Sequence, residues 1–226
     1  MSSTTAKAKL GSAKLAHIGK TVRKRLMRHE RVEIVSSGLL DLYIVQGFMT
    51  DAECEQMIAL IDETARPSTL YEGTERPGYR TSYSGDLSPF HSLVQIVEGR
   101  ICKLMGIDLR HGETLQGQRY AVGQQFKPHQ DYFHTNQGYW ERERGRGGQR
   151  SWTAMIYLNE PEGGGETNFP KAGMCISPRK AMLVLWNNMD PLGAPNELTL
   201  HEGCAVTAGT KYIVTKWFRE HFWGVQ

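Results

Sequence analysis

The sequence contains few cysteines, and their placement is not that of a cysteine framework. The 226-residue chain has four, without a Cys-x-x-Cys pair or a regular spacing: Cys54, Cys102, Cys175 and Cys204. Secreted disulfide scaffolds and zinc ribbons both need paired cysteines, so neither class is expected. Unpaired cysteines are typical of a reducing compartment, and we therefore expect a cytoplasmic protein.

Long hydrophobic runs are missing as well. No stretch approaches the roughly 18 uncharged residues of a membrane-spanning helix, and the chain does not begin with the apolar segment of a secretory signal. We therefore expect no membrane partner. With 39% hydrophobic and 23% charged residues, the composition is that of a globular protein rather than a disordered one.

Acidic residues are nearly absent from the first 31 positions. That segment has Glu30 as its one acid and nine basic residues: Lys7, Lys9, Lys14, Lys20, Arg23, Lys24, Arg25, Arg28 and Arg31. Its net charge is +8, and because the whole chain carries +3, residues 32–226 carry −5. The pattern predicts a basic N-terminal arm over residues 1–31 and a mildly acidic body.

The arm has apolar residues at helical spacing: Leu15, Ile18, Val22 and Leu26. This spacing predicts an amphipathic helix over residues 13–29, either packed on the body or solvated, with a disordered tail as the alternative. Import into an organelle is a second interpretation, although no arginine precedes Arg23. Contact with nucleic acid or an acidic partner is a third, and the acidic body argues against nucleic acid.

The body begins with helical signals. Thr50 and Glu53 form a capping box that opens a helix ending before Pro67, and a second helix is predicted from Ser88 to Gly106. These two helices, over residues of about 50–106, are expected to support the rest of the fold.

Strand signals follow the helices. Short β-rich runs alternate with Gly, Pro and Asn turns: residues 115–122, 151–158, 181–187 and 211–219. This order predicts a mainly β protein with flanking helices (α+β), whose antiparallel sandwich or barrel spans residues of about 113–220. The polar stretch 132–148 predicts a long mobile loop that acts as a lid, with the segment 70–87 opposite.

His129 and Asp131 are candidate metal ligands, because residues two apart in an extended chain point to the same side. Such a triplet often arises by chance, and His111-Gly112-Glu113 is a similar one. His201 is a third candidate, although a histidine flanked by leucines is more often structural. Two imidazoles and a carboxylate suit non-haem Fe(II), and zinc accepts similar ligands, so the ligand types leave the metal open.

Lys211 lies among β-branched and aromatic residues at the start of the last β-rich run. An ammonium buried there without a partner would be costly, so we expect an anion beside it. The alternative is that the side chain extends to solvent at the start of the strand. Alternation places Ile213, Thr215 and Trp217 on the same face of the strand as Lys211.

Five motifs carry these candidates in one order. They are R-Y-x-x-G-x-x-F-x-x-H-x-D (119–131), R-x-x-T-x-x-x-Y-L-N (150–159), G-G-G-E-T-x-F-P (163–170), L-H-x-G-C-x-V (200–206) and G-x-K-x-x-x-T-K-W (209–217). The series resembles the prolyl 4-hydroxylase branch of the Fe(II)/2-oxoglutarate-dependent dioxygenases. The resemblance covers roughly residues 38–220 and leaves out the basic arm.

The resemblance implies a role for each candidate. The Fe(II) ligands would be His129, Asp131 and His201. Lys211, ten residues after the distal histidine, would pair with the far carboxylate of 2-oxoglutarate. Further co-substrate residues would be Tyr120, Thr153 and Tyr157, and residues facing a substrate would be Arg150, Trp217 and Glu113. The triplet at 111–113 lacks the surrounding pattern and is rejected as a metal pair.

The resemblance also implies the fold and the reaction. The fold would be a double-stranded β-helix, or jelly roll. The reaction would be hydroxylation of an unactivated C–H with O2 and decarboxylation of 2-oxoglutarate to succinate, with a prolyl residue of a peptide or protein as the expected substrate. A free amino acid or other small molecule is the alternative, followed by a non-catalytic jelly-roll binding protein. Oligomeric state and a need for ascorbate stay open.

Overall fold

The computed structural model describes residues 11–36, 39–70 and 76–224. Within these ranges the α-helices are α1 (Ala13–Leu26), α2 (Asp51–Thr64), α3 (Ser92–Met105) and α4 (Trp140–Gly145). The strands up to the middle of the chain are β1 (Glu33–Ser36), β2 (Leu42–Val45), β3 (Arg66–Pro67), β4 (Tyr83–Asp86), β5 (Gln116–Tyr120), β6 (Phe126–His129) and β7 (Arg150–Tyr157). The remaining strands are β8 (Gly163–Gly164), β9 (Thr167–Phe169), β10 (Met174–Ile176), β11 (Met182–Asn187), β12 (His201–Gly203), β13 (Val206–Ala208) and β14 (Lys211–Arg219).

The strands form two main antiparallel sheets. The major sheet has the order β1-β2-β11-β7-β14-β5-β4-β3, and the minor sheet has the order β10-β9-β12-β6. Strands β13 and β8 pair separately. The prediction of a mainly β protein with flanking helices is confirmed, and the four β-rich runs of the sequence correspond to β5, β7, β11 and β14.

Two hydrophobic cores lie on opposite faces of the major sheet. The outer core packs the sheet against the helices and includes Ile156 and Val214. The inner core lies between the two sheets and includes Tyr157 and Ile213. Neighbouring residues of β7 and β14 therefore face different cores, as the alternation of side chains along a strand requires.

The supporting helices begin and end for identifiable reasons. The predicted capping box of α2 is confirmed, because the Thr50 side chain accepts from the Glu53 N–H and the Glu53 side chain accepts from the Thr50 N–H. Helix α3 ends at Gly106, which is left-handed with φ 71°. Its predicted start at Ser88 is wrong, because the Ser88 hydroxyl accepts from the N–H of Phe90 in a turn. The helix instead begins at Ser92, behind a His91 cap.

Helix α1 packs against the body. Its buried apolar residues are Leu15, Val22 and Leu26. At Gly19 the helix approaches Asn187 so closely that a Cβ atom would lie 2.8 Å from the amide nitrogen. Arg23 Nε lies 3.4 Å from Oδ2 of the buried Asp41. The arm differs from the body in charge, but its helix packs on the body as part of the same fold. Lys7 and Lys9 of the arm lie outside the described residues.

None of the helices in the described ranges has the length and apolar character needed to cross a membrane.

Substitution of Leu26 tests whether α1 is part of the cooperative fold. Leu26 has no exposed surface and belongs to the outer core, whereas Met27 next to it is 49% exposed. We expect Leu26→Ala to lower the free energy of unfolding by about 2–5 kcal/mol through lost burial and a cavity, and Met27→Ala to change it by less than about 1 kcal/mol. Denaturant unfolding measures both, and an unchanged midpoint for Leu26→Ala would contradict the packing of α1.

Candidate metal centre and its surroundings

Two distant segments bring three candidate ligands together. Strand β12 pairs with β6 so that His201 lies opposite His129, and Asp131 follows two residues after His129. The ligand atoms of the three side chains all lie within 4.8 Å of one another. Asp131 and His201 are 6% exposed, and His129 is half-buried, so the cluster lies at the edge of the interior. Among the described residues, this is the one group of at least three such side chains that could hold a metal ion.

The backbone orients both imidazoles. Nδ1 of His129 lies 2.8 Å from the carbonyl of Lys127, and Nδ1 of His201 lies 2.9 Å from the carbonyl of Thr199. A carbonyl only accepts, so each Nδ1 carries the proton and each Nε2 keeps its lone pair for a metal. Burial, followed by the neighbouring His201, lowers the pKa of His129 to about 3, which keeps its ring neutral.

Asp131 is held by a side chain. The Thr153 hydroxyl donates to Asp131 Oδ2 at 2.7 Å, and Asn188 Nδ2 donates to the Thr153 oxygen at 2.9 Å. Burial alone would raise the pKa of Asp131, but His201 and His129 lead a set of groups that hold it below its usual value. The Thr153 hydroxyl therefore lies beside a metal ligand, whereas the resemblance implied a place among the co-substrate residues.

Lys211 is buried beside two tyrosines of the inner core. Its side chain is 1% exposed, and its ammonium lies 5.2 Å from the ring centre of Tyr120 and 5.3 Å from that of Tyr157. Because the lysine is buried, the alternative of a side chain that extends to solvent is wrong. No carboxylate of the described residues lies within ion-pair distance of the ammonium. Burial lowers the pKa of Lys211 to about 8.

Glycines make room for this lysine. Gly165 has φ 78°, and a Cβ atom there would lie 3.1 Å from Cδ of Lys211. A Cβ atom at Gly203 would lie 3.8 Å from Nζ, which places the ammonium near the strand that carries His201. The side chains of Tyr120 and Tyr157 bond within the protein, to Gln118 at 2.8 Å and to Thr167 at 2.5 Å respectively.

These residues fit a divalent metal and a dianionic ligand. Two neutral imidazoles and one carboxylate form the facial donor set of non-haem Fe(II), which leaves coordination positions open. A buried cation without a counter-ion near these donors provides the charge that an anionic group of the ligand requires. His129, Asp131 and His201 could thus hold the metal, while Lys211 could hold the far end of a ligand.

A cavity of about 810 Å³ opens beside the candidate ligands His129 and Asp131. The three residues expected to face a substrate line it: Glu113, Arg150 and Trp217. Arg150 forms a two-pronged pair with Glu113, at 2.6 and 2.7 Å, and its guanidinium lies 4.1 Å from the centre of the Trp217 ring. Burial would raise the pKa of Glu113, but Arg150 and then Arg219 hold it low.

The rejected triplet does not form a metal site. Nδ1 of His111 lies 3.1 Å from the backbone carbonyl of Arg219, and its ring packs on Phe222. Glu113 is occupied by Arg150 and by Nε of Arg219 at 2.7 Å.

The stretch predicted as a mobile lid is fixed at both ends. The N–H of Phe133 donates to Gln149 Oε1 at 2.6 Å, and Gln149 Nε2 donates back to the Phe133 carbonyl at 2.9 Å. Within the stretch, α4 places Glu143 against the guanidinium of Arg219. Of the facing segment, residues 71–75 lie outside the described residues.

Sequence reasoning missed the polar residues that hold the site. Arg219 and Glu143 join the Arg150–Glu113 pair in the cavity wall. Alternation along β14 offered a signal for Arg219, since it is two residues from Trp217. Nothing in the local sequence singles out Asn188, because its role depends on which side chain lies across from it.

The chain is similar in sequence to known proteins. Residues 115–219 match the 2OG-Fe(II) oxygenase superfamily. Prolyl 4-hydroxylase 5 of Arabidopsis thaliana is 33% identical over 202 residues, covering 79% of this chain and 68% of the plant protein. Probable prolyl 4-hydroxylase 10 of the same plant is 32% identical over 246 residues, covering 93% and 82%.

A solved structure shows the same fold. The viral collagen prolyl hydroxylase from Paramecium bursaria Chlorella virus-1, in its 2OG complex, is similar with a TM-score of 0.64 at 27% identity. The similarity covers 79% of this chain and 95% of the viral chain.

Removal of His201 tests the metal centre. We expect His201→Ala to weaken Fe(II) or Co(II) binding at least about 100-fold, because one of three protein ligands is lost. His111→Ala is the matched control, since His111 is a histidine outside the cluster, and its metal affinity should equal that of the unchanged protein. Anaerobic metal titration measures both. Equal affinities for all three proteins would exclude His201 as a ligand.

Proposed function

Because the chain belongs to the 2OG-Fe(II) oxygenase superfamily and is a 2-oxoglutarate-dependent dioxygenase, we propose that it hydroxylates a prolyl residue within a peptide or protein. Its two facing sheets form the double-stranded β-helix core of that family. The observation that carries the proposal is the cavity of about 810 Å³ that runs from the metal ligands to the Arg150 wall.

The donor set and the buried cation support a binding site for each end of the co-substrate. His129, Asp131 and His201 would hold Fe(II), and Lys211 would bind the far carboxylate of 2-oxoglutarate. When bound, Fe(II), 2-oxoglutarate and O2 supply the oxidising chemistry that hydroxylates an unactivated C–H while 2-oxoglutarate is converted to succinate and CO2.

The protein's own contribution is orientation and exclusion of water. Tyr120 and Tyr157 flank Lys211 in a buried pocket, where the ion pair with a carboxylate is stronger than in water. The backbone bonds to both imidazoles keep their Nε2 atoms directed at one point. The ligand is thereby held in one orientation beside the substrate cavity.

The substrate side suits an extended peptide. A cavity of about 810 Å³ lies in the upper part of the range that drug-sized ligands occupy, so a free amino acid would leave most of it filled with water. Arg150 and Glu113 neutralise one another, and the Arg150 guanidinium covers one face of Trp217. This part of the wall therefore has no large net charge, and it offers polar groups to a peptide.

The substrate class is tested by succinate formation. With Fe(II), 2-oxoglutarate and O2, we expect proline-containing peptides to stimulate turnover, and mass spectrometry to place one added oxygen on a prolyl residue. The same peptides with alanine in place of proline are the matched control, and free proline is the competing substrate. Stimulation by free amino acids but by none of the peptides would exclude the proposed substrate and keep the dioxygenase.

Lys211 is tested by the affinity for 2-oxoglutarate. We expect Lys211→Ala to weaken binding about 10- to 100-fold, the equivalent of one charge-assisted hydrogen bond, while metal affinity stays unchanged. Lys127→Ala is the control, because that lysine is exposed on the strand that carries His129. Titration in the anaerobic metal-loaded protein measures each affinity; an unchanged value for Lys211→Ala would show that another group binds the carboxylate.

The same lysine predicts a pH dependence. Burial lowers the pKa of Lys211 to about 8, so above this pH the free protein increasingly carries a neutral amine. A neutral amine does not attract a carboxylate, and we expect affinity for 2-oxoglutarate to fall about tenfold from pH 7 to pH 9. Lys211→Ala should have a weak affinity that does not fall over this range. The same slope in both proteins would assign the dependence to another group.

A further inference from the structure

The three proposed metal ligands are positioned by different kinds of partner. Backbone carbonyls accept hydrogen bonds from the Nδ1 atoms of the two histidines. Asp131 instead depends on the hydroxyl of Thr153, which in turn contacts the amide of Asn188. We propose that Asn188 is a positioning residue that orients Asp131 through Thr153, an inference that rests on the metal site of the proposed function.

The hydrogen bonds from Asn188 to Thr153 and from Thr153 to Asp131 form a short, buried relay. Asn188 Nδ2 lies 2.9 Å from the Thr153 oxygen, and that oxygen lies 2.7 Å from Asp131 Oδ2. The second distance is typical of a hydroxyl that donates to a carboxylate. Asn188 and Thr153 have no exposed surface, so no solvent water competes for these bonds.

The direction of the bonds follows from the number of protons. A threonine hydroxyl has a single proton to donate, and a carboxylate that binds a metal has none. The hydroxyl must therefore donate to Asp131, and its other partner must be a donor. The Asn188 amide N–H meets this requirement and prevents the hydroxyl from rotating away from the carboxylate.

The backbone of Asn188 is fixed relative to the strand that carries Thr153. Its N–H donates to the carbonyl of Ser151 at 2.8 Å, and its own carbonyl accepts from the N–H of Asn196 at 3.0 Å. The side chain of Asn188 therefore extends from a fixed backbone position next to β7. The two hydrogen bonds of the relay consequently have little freedom to lengthen.

The side-chain oxygen of Asn188 distinguishes a positioning role from a purely structural one. Oδ1 of Asn188 is buried and has no hydrogen-bond partner among the described residues. The neighbouring Asn187 differs, since its Nδ2 donates to Asp41 at 3.2 Å and its Oδ1 accepts from the N–H of Met189 at 3.0 Å. A buried unpaired acceptor costs stability, so its presence at Asn188 favours a role in the site.

The experiment compares Asn188→Leu with Asn187→Leu, each of which removes a buried amide and keeps the number of side-chain heavy atoms. We expect Asn188→Leu to weaken Co(II) binding to the apoprotein about tenfold or more, as loss of a residue that orients a ligand does. Asn187→Leu should lose more thermal stability and keep the metal affinity of the unchanged protein. Asn188→Ala is the second variant if the leucine does not fit.

A double-mutant cycle makes the test specific. Thr153→Val removes the hydroxyl and should weaken Co(II) binding. Thr153→Ser keeps the hydroxyl and should retain the Co(II) affinity of the unchanged protein. In the Thr153→Val background the Asn188 substitution should have no further effect on metal affinity, because there is no hydroxyl left to orient. Additive losses of affinity, or an Asn188 variant with unchanged affinity, would overturn the relay. Failure of the unchanged protein to bind Co(II) would overturn the proposed metal site together with it.

Discussion

The register of strand β14 is the constraint on which the rest of the structure depends. This strand pairs with β5 on one side and with β7 on the other, at the centre of the major sheet. Lys211 and Ile213 face the inner side, where the ammonium meets Tyr120, while Val214 faces the helices. A slip of one residue would move the lysine into the outer core and either Thr210 or Tyr212 into its place. Because both faces of β14 are buried, the same packing that determines its register also determines where Lys211, the proposed co-substrate cation, lies.

The site contains polar groups that a stable protein would ordinarily avoid. Lys211 is a buried cation without a carboxylate beside it, and Asn188 has a buried acceptor without a donor, both among the described residues. In the cavity wall, by contrast, Glu113 is paired with Arg150 and Arg219. The charges of Glu113, Arg150 and Arg219 in the wall are thus balanced within the protein, while the buried Lys211 ammonium is left for a ligand. Such unmet requirements are expected where a protein binds something rather than where it only packs.

The N-terminal arm shows that charge and packing describe different boundaries. By charge, residues 1–31 are distinct from the acidic body. By packing, Val22 and Leu26 of α1 belong to the same outer core as α2 and α3. The boundaries differ because the basic side chains lie mainly on the exposed face of an amphipathic helix, whereas its apolar face packs on the body. A charge boundary in a sequence is therefore a poor guide to where a folded unit begins.

By itself the sequence indicated the main elements and the candidate metal ligands. Helical spacing, a capping box and alternating β-rich runs are local patterns, and they placed the main helices and strands β5, β7, β11 and β14. Strands β6 and β12, which carry His129 and His201, lie outside those runs. The motifs around His129, Asp131, His201 and Lys211 named the residues of the centre through a family resemblance. Tertiary structure alone decided that Thr153 holds Asp131, that Asn188 holds Thr153, and that Arg219 joins Glu113 in the cavity wall. These contacts join residues far apart in the chain, and a hydrogen bond between them is set by strand register and side-chain rotamers, which local patterns do not contain.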